Sequence, residues 1–148
     1  SENPHILNIS PPLDMNPDWF SGHVAYSMAK FGMSLCVLGM AAEFKDDGVA
    51  VNALWPRTAI ATAAVKNVLG GEQLVNISRG PEIMADAAYV ILTKPSKEFS
   101  GNFCIDDTLL AENGVSDFSV YADVPFDQLA PDFFVPEDMP PPEAAKKS

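Results

Sequence analysis

Basic residues are scarce in this sequence: nine Lys and Arg stand against twenty Asp and Glu, a formal net charge of −11 over 148 residues. A surface this acidic cannot replace the counterions that a nucleic acid would release, so binding to a phosphate backbone is excluded as a main function. Half of the acids fall between Asp106 and Glu143, where no Lys or Arg interrupts them. The imbalance therefore belongs to the C-terminal part and says little about the remainder. Cysteine and histidine are scarcer still, with two of each. Cys36 and Cys104 lie in apolar segments without metal-ligand spacing and are expected to be buried, reduced thiols. His5 and His23 fit no metal pattern, and no metal site is expected; His5, inside an apolar run, reads as packed or hydrogen-bonded. No apolar run approaches the roughly 20 residues that cross a bilayer. The first residues lack the basic start and small-residue cleavage site of a signal peptide. Neither a membrane span nor a targeting signal is expected. Nine glycines are present, but none form a Gly-x-Gly-x-x-Gly or related phosphate cradle, and Gly70-Gly71 reads as an ordinary turn.

What is present alternates between apolar strands and helices. Residues 5–10 (His-Ile-Leu-Asn-Ile-Ser) form a short apolar run stopped by Pro11-Pro12, as in a buried strand. Residues 14–22 read as a loop. No proline occurs from His23 to Phe44, and Ala, Met and Leu dominate, which predicts a helix of about five or six turns. It is apolar on nearly every side, so burial on several faces is expected, against a sheet and against a second subunit. Gly48 suits the left-handed cap that ends it. A second strand is predicted over residues 49–55, a short helix over 58–69, a helix after Pro81 to Thr93, and a third strand over 101–106. Asp106-Asp107 reads as a capping turn before Thr108. This strand–helix alternation predicts right-handed crossovers and a parallel sheet, although three strands are few for one. Beyond Ser116 the periodicity dissolves. Residues 1–116 are expected to form the domain and residues 117–148 an acidic, Pro-rich tail or linker, with Phe118, Tyr121, Phe126, Phe133 and Phe134 available to pack.

The residues with the clearest chemistry are Tyr26 and Lys30 in Tyr26-Ser-Met-Ala-Lys30. At i and i+4 they share one helix face, one turn apart. An ammonium beside a phenol favours the phenolate, which makes a proton donor and acceptor usable near neutral pH. Taken alone the spacing is weak. Its context is Asn8-Ile9-Ser10 before it, and Val51-Asn52-Ala53-Leu54-Trp55-Pro56 after it.

This ordered set resembles the short-chain dehydrogenase/reductase family from about His5 to Asp106. The resemblance implies an α/β fold, the C-terminal portion of a doubly wound parallel-sheet, Rossmann-like domain. It implies reversible hydride transfer between NADP or NAD and a carbonyl or alcohol. Tyr26 would be the acid/base, and Lys30 would assist it and bind the nicotinamide ribose. Pro56, the backbone of Ile60 and the hydroxyl of Thr62 would lie against the nicotinamide or a nearby phosphate. Two departures stand out. Where the family places its substrate-holding serine this sequence has Pro11, so Ser10 becomes the candidate donor or a structural residue. Arg57 replaces a glycine, to meet a phosphate or to sit solvated at the surface. Trp19, Phe20 and Trp55 would line a substrate pocket or simply pack. The family's glycine-rich cofactor platform would precede Ser1, so the chain by itself is expected to lack activity. In family members with similar details the dehydrogenase domain is followed by a sterol-carrier-type domain, and the Pro-rich tail that ends in residues 143–148 resembles the start of that linker. A lipid-like substrate, a peroxisomal or mitochondrial location and pairing through the Tyr26 helix would follow. The alternative is a noncatalytic chain that keeps only dimerisation or interaction surfaces.

Overall fold

A computed structural model describes residues 2–69 and 71–147. Gly70 lies outside the described residues, and so does Ser148 at the end of the expected linker; Gly71 opens a short helix with φ +63°. The chain divides into two compact units: residues 1–55, 88–104 and 133–136, and residues 56–87, 105–132 and 137–148.

The first unit is built on a parallel sheet in the order β1 (His5–Ile9), β2 (Ala50–Trp55), β3 (Phe103–Ile105), whose last residue opens the second unit. β1 runs parallel to β2 in a register pairing Ile6 with Val51 and Asn8 with Ala53. Every residue of β2 is buried, as its unbroken apolar run predicts. β1 departs from expectation: it is half-buried, with Ile9 exposed, because it is an edge of the described sheet. Helix α1 (Val24–Glu43) has the predicted length and lays Phe31 and Val37 inward; Val37 meets Val51 and Ala53 in a core joined by Ile6, Met40 and Phe103. Its buried face also carries Ser27 and Ser34, two turns apart. Ser27 Oγ donates to the Trp19 carbonyl and Ser34 Oγ to the Pro11 carbonyl at 2.6 Å, so the helix holds the 11–20 loop from both ends. The opposite face, with Val24, Met28, Leu35, Cys36 and Leu38, is exposed. Cys36 is thus not the buried thiol expected, and Cys104 is only partly covered. By length and composition alone α1 is apolar enough to cross a membrane, contrary to expectation, but its serines are tied to a loop and its inner face to the sheet. Phe44 caps the helix, its N–H donating to the Met40 carbonyl, so Gly48 is not the cap expected; it takes φ +69° at the end of the following turn. Asn52, fully buried in β2, donates to the Phe99 carbonyl at 2.8 Å and accepts from the Asn102 backbone at 3.0 Å, tying β2 to the turn before β3. His5 is hydrogen-bonded as expected, Nε2 lying 3.0 Å from the Lys94 carbonyl.

In the second unit residues 58–62 are not helical. They are extended, because Thr58 bridges Pro131 and Ile60 bridges Arg79; the helical part begins at Ala63 and continues as a π-helical turn over Val65–Leu69. Helix α2 (Gly71–Val75) follows, unpredicted. Helix α3 (Glu82–Thr93) starts at the expected proline and runs from the second unit into the first. The stretch expected as a loose tail is folded: 3₁₀ turns occupy Ser119–Tyr121 and Phe126–Gln128, and α5 (Glu143–Lys146) buries Ala145. Phe118 and Tyr121 supply the apolar surface that orders it.

Candidate active site

Tyr26 and Lys30 stand on the first two turns of α1, and an aromatic cluster of the first unit receives both. The Tyr26 ring stacks on Phe134, centroids 5.8 Å apart and planes at 21°. Lys30 Nζ lies 5.2 Å from the centre of the Trp55 ring and donates to the Ile9 carbonyl at 3.1 Å, at the C-terminal end of β1. Phe134 closes the arrangement, its centroid 5.9 Å from Trp55, 5.2 Å from Phe31 and 5.8 Å from Trp19. Tyr26 keeps 51% of its surface exposed. A half-exposed phenol one helical turn from an ammonium that is held by a carbonyl and a ring can exchange a proton with a ligand at the surface.

The order of the local sequence explains this geometry. β1 ends at Ile9 and delivers its last carbonyl to Lys30. The 11–20 loop then folds on itself: Asp14 accepts from Trp19 Nε1 at 2.7 Å and from the Asn16 backbone at 3.1 Å. Trp19 and Phe20 are thereby set beside Phe134 and Phe31. At the far end of β2, Trp55 Nε1 donates to the Phe133 carbonyl at 2.7 Å. Trp55 and Phe20 thus pack, as one of the two sequence readings had it.

Ser10 is fully buried, and its Oγ has no hydrogen-bond partner among the described residues. Pro11 offers only its carbonyl, already taken by Ser34. Pro56, Ile60 and Thr62 belong to the second unit. Pro56 is buried. The pairing of residues 59–61 with Arg79 uses the Ala59 carbonyl and the Ala61 N–H, each at 2.9 Å, so the Ile60 N–H is turned to the opposite edge of that strand. Thr62 is exposed, and its Oγ1 accepts from the Val65 backbone at 3.4 Å, starting the helical turn.

Arg57 is neither solvated nor exposed. Its Nε donates to both oxygens of Asp107, at 2.7 and 2.9 Å, and its other nitrogens reach Thr108 Oγ1 at 2.8 Å and the Met139 carbonyl at 2.7 Å. Arg79 Nη1 reaches Asp107 at 3.1 Å. Asp106 and Asp107 begin α4 (Asp106–Glu112) without capping it; Asp106 Oδ1 accepts instead from the backbone of Arg57 at 3.0 Å and of Asp107 at 2.7 Å. Burial, and then the Asp107 charge beside it, push the Asp106 carboxyl up to about 7. Nothing in the sequence marks this cluster except an arginine where the resemblance expects glycine. Among the described residues no group of His, Cys, Asp and Glu could hold a metal ion.

Comparison with known proteins shows what the chain is similar to. No family model matches the chain. The hydroxysteroid dehydrogenase-like protein 2 of Danio rerio is 56% identical over 142 residues, 94% of this chain and 34% of the relative. The solved structure of a Mycobacterium thermoresistibile short chain dehydrogenase superposes with a TM-score of 0.82 at 50% identity, over 95% of this chain and 50% of that one. The chain matches part of a short-chain dehydrogenase/reductase. A Xanthomonas campestris structure described as a dehydrogenase agrees, with a TM-score of 0.84, 50% identity and coverage of 93% of this chain and 50% of its own. The chain spans 34% of that curated relative and half of each solved structure. Its α/β fold with a parallel sheet is that of the Rossmann-type dehydrogenases.

Proposed function

We propose that this chain supplies the proton-exchanging part of a nicotinamide-dependent oxidoreductase site that interconverts a carbonyl and an alcohol. The observation that carries the reading is the placement of Tyr26 and Lys30 on one aromatic cluster at the C-terminal end of β1. In open α/β sheets ligands bind outside that end of the strands. Tyr26, half exposed, gives its phenolic proton to the carbonyl oxygen in reduction and takes it back in oxidation. Lys30 spends one of its three N–H donors on Ile9 and has the reach to hold a ribose hydroxyl and to favour the phenolate. The Ile60 N–H, turned away from its pairing, suits a carboxamide acceptor, and the Thr62 hydroxyl retains its own proton for a second contact. When bound, NAD or NADP supplies or accepts the hydride. Ser10 is the remaining candidate of the site, but its burial argues for a structural role.

A lipid-like substrate is favoured by the apolar, aromatic surroundings of Tyr26 and by the hydroxysteroid in the relatives' name, and a role in lipid metabolism, in a peroxisome or mitochondrion, goes with that reading. Pairing through the uncovered face of α1 and a sterol-carrier-type domain beyond residue 148 complete the reading. A second reading, a noncatalytic chain, draws on Pro11, which removes a hydroxyl. Kinetics of Tyr26→Phe in the protein extended to its relatives' full length, with NADH and NADPH titrations alongside, separate the two. The catalytic reading expects cofactor binding to persist while kcat falls about 10²- to 10⁴-fold, the worth of a general acid/base. Unchanged turnover refutes it.

A further inference from the structure

Phe134 is the one non-glycine residue with positive φ among the described residues, at +67°. A bulky residue there is strained, and such conformations persist only where the surroundings over-determine them. Those surroundings are explicit. The ring is fully buried and meets Trp19, Tyr26, Phe31, Trp55 and Phe133, while Trp55 Nε1 holds the preceding carbonyl. Residues 133–136 join the first unit although the chain on both sides of them belongs to the second. A four-residue segment therefore enters the Tyr26 unit in a strained turn, and its buried ring lies against the face of the phenol. Phe133 beside it remains 48% exposed, its ring edge-on to His23 at 5.0 Å. Two half-exposed aromatic rings, Tyr26 and Phe133, flank the buried one.

From this geometry we infer that Phe134 positions the Tyr26 ring, and that Phe133 beside it forms a platform selecting apolar ketones or alcohols large enough to rest on both exposed rings. The inference rests on the proton-exchange reading of Tyr26. A mere core plug would account for the burial of Phe134. It would not call for a strained backbone that holds one ring parallel to the phenol and leaves the next ring at the surface.

The test compares Phe134→Leu and Phe133→Ala with the unaltered full-length protein. The probes are a bicyclic ketone (1-decalone) and acetone, each with a nicotinamide donor. The expected result is a fall of at least tenfold in the decalone-to-acetone ratio of kcat/KM for each variant. For Phe134→Leu the limb of the pH–rate profile that follows Tyr26 also moves, and the Tyr26 ring protons lose the upfield shift that a stacked ring imposes. If Phe134→Leu does not fold, Phe133→Ala, which keeps the backbone carbonyl that Trp55 holds, decides the selectivity. Equal losses on both ketones with an unmoved pH profile overturn the inference and leave Tyr26 intact as the acid/base. Tyr26→Phe with unchanged turnover overturns the inference and the reading beneath it together.

Discussion

The buried charge cluster of the second unit gives the most quantitative expectation. Asp107→Asn keeps the size of the side chain and one acceptor oxygen but removes the only carboxylate that Arg57 and Arg79 are seen to share. Both guanidiniums are buried, at 6% and 1% exposure, and Asp107 is fully buried. Removing one partner of a buried pair typically costs about 3–5 kcal/mol, because a charge is left without compensation in a low dielectric. For a chain of this size each kcal/mol is worth about 2–4 °C in melting temperature, so a drop of about 10 °C is expected. Thermal unfolding followed by circular dichroism at pH 8 and low salt measures it. The Asp106 carboxyl provides an internal check. One cause of its raised pKa is the Asp107 charge, so Asp107→Asn lowers it and lets Asp106 ionise as a replacement counter-ion. The variant should therefore recover part of its loss as pH rises from 5 to 8. A shift under 2 °C with no such recovery would show that the Arg57–Asp107–Arg79 contacts cancel against desolvation and that water enters the cluster.

Two further outcomes follow from single residues. Asp106 holds its proton up to about pH 7 in the folded chain but only to 3.8 when unfolded, so its contribution to stability is full below about pH 4 and is lost as pH rises to about 7. Asp106→Asn, a neutral mimic of the protonated form, should flatten that part of the urea-midpoint profile, and a profile parallel to wild type would refute the assignment. Gly48→Ala should cost about 1 kcal/mol in urea unfolding, from the left-handed backbone at φ +69° rather than from the nearby Lys97 side chain, which can move aside. An unchanged midpoint would mean the turn re-forms without positive φ.

Helix α1 and strand β2 were legible because their signals are local: an uninterrupted proline-free span and an apolar run closed by proline. The 58–62 segment was not. Its Thr-Ala-Ile-Ala-Thr composition is compatible with a helix, and the pairing that extends it comes from Pro131 and Arg79, far along the chain. The same limit hid the charge cluster, since Arg57 and Asp107 are fifty positions apart and a sequence shows acids without showing which cations they meet. The C-terminal stretch misled for another reason. Its prolines exclude long helices and its acids suggest solvation, yet Phe118, Tyr121 and Phe134 bury enough apolar surface to order it in short turns. Tyr26 and Lys30 were singled out by their spacing taken with its context, whereas Phe134 was not. Positive φ is normally announced by glycine or asparagine, and here a phenylalanine adopts it.

The state of Ser10 and Pro11 sharpens what the proposed chemistry demands of Tyr26. In the family pattern a second hydroxyl shares the substrate oxygen and helps to fix the angle at which the phenol meets it. Here Pro11 has no hydroxyl and its carbonyl is bound by Ser34, while the Ser10 oxygen is sealed from solvent. Ser27 is likewise committed to the Trp19 carbonyl. With the neighbouring serines spent on structure, orientation has to come from the phenol's own mounting. A ring stacked at 21° on a residue that is itself fixed by four other rings and a strained turn is such a mounting. Near-attack geometry can then be kept by packing where it would otherwise be kept by a second hydrogen bond. On the proposed reading the packing that replaces the hydroxyl is apolar, so the change that removes a polar anchor would also favour an apolar substrate.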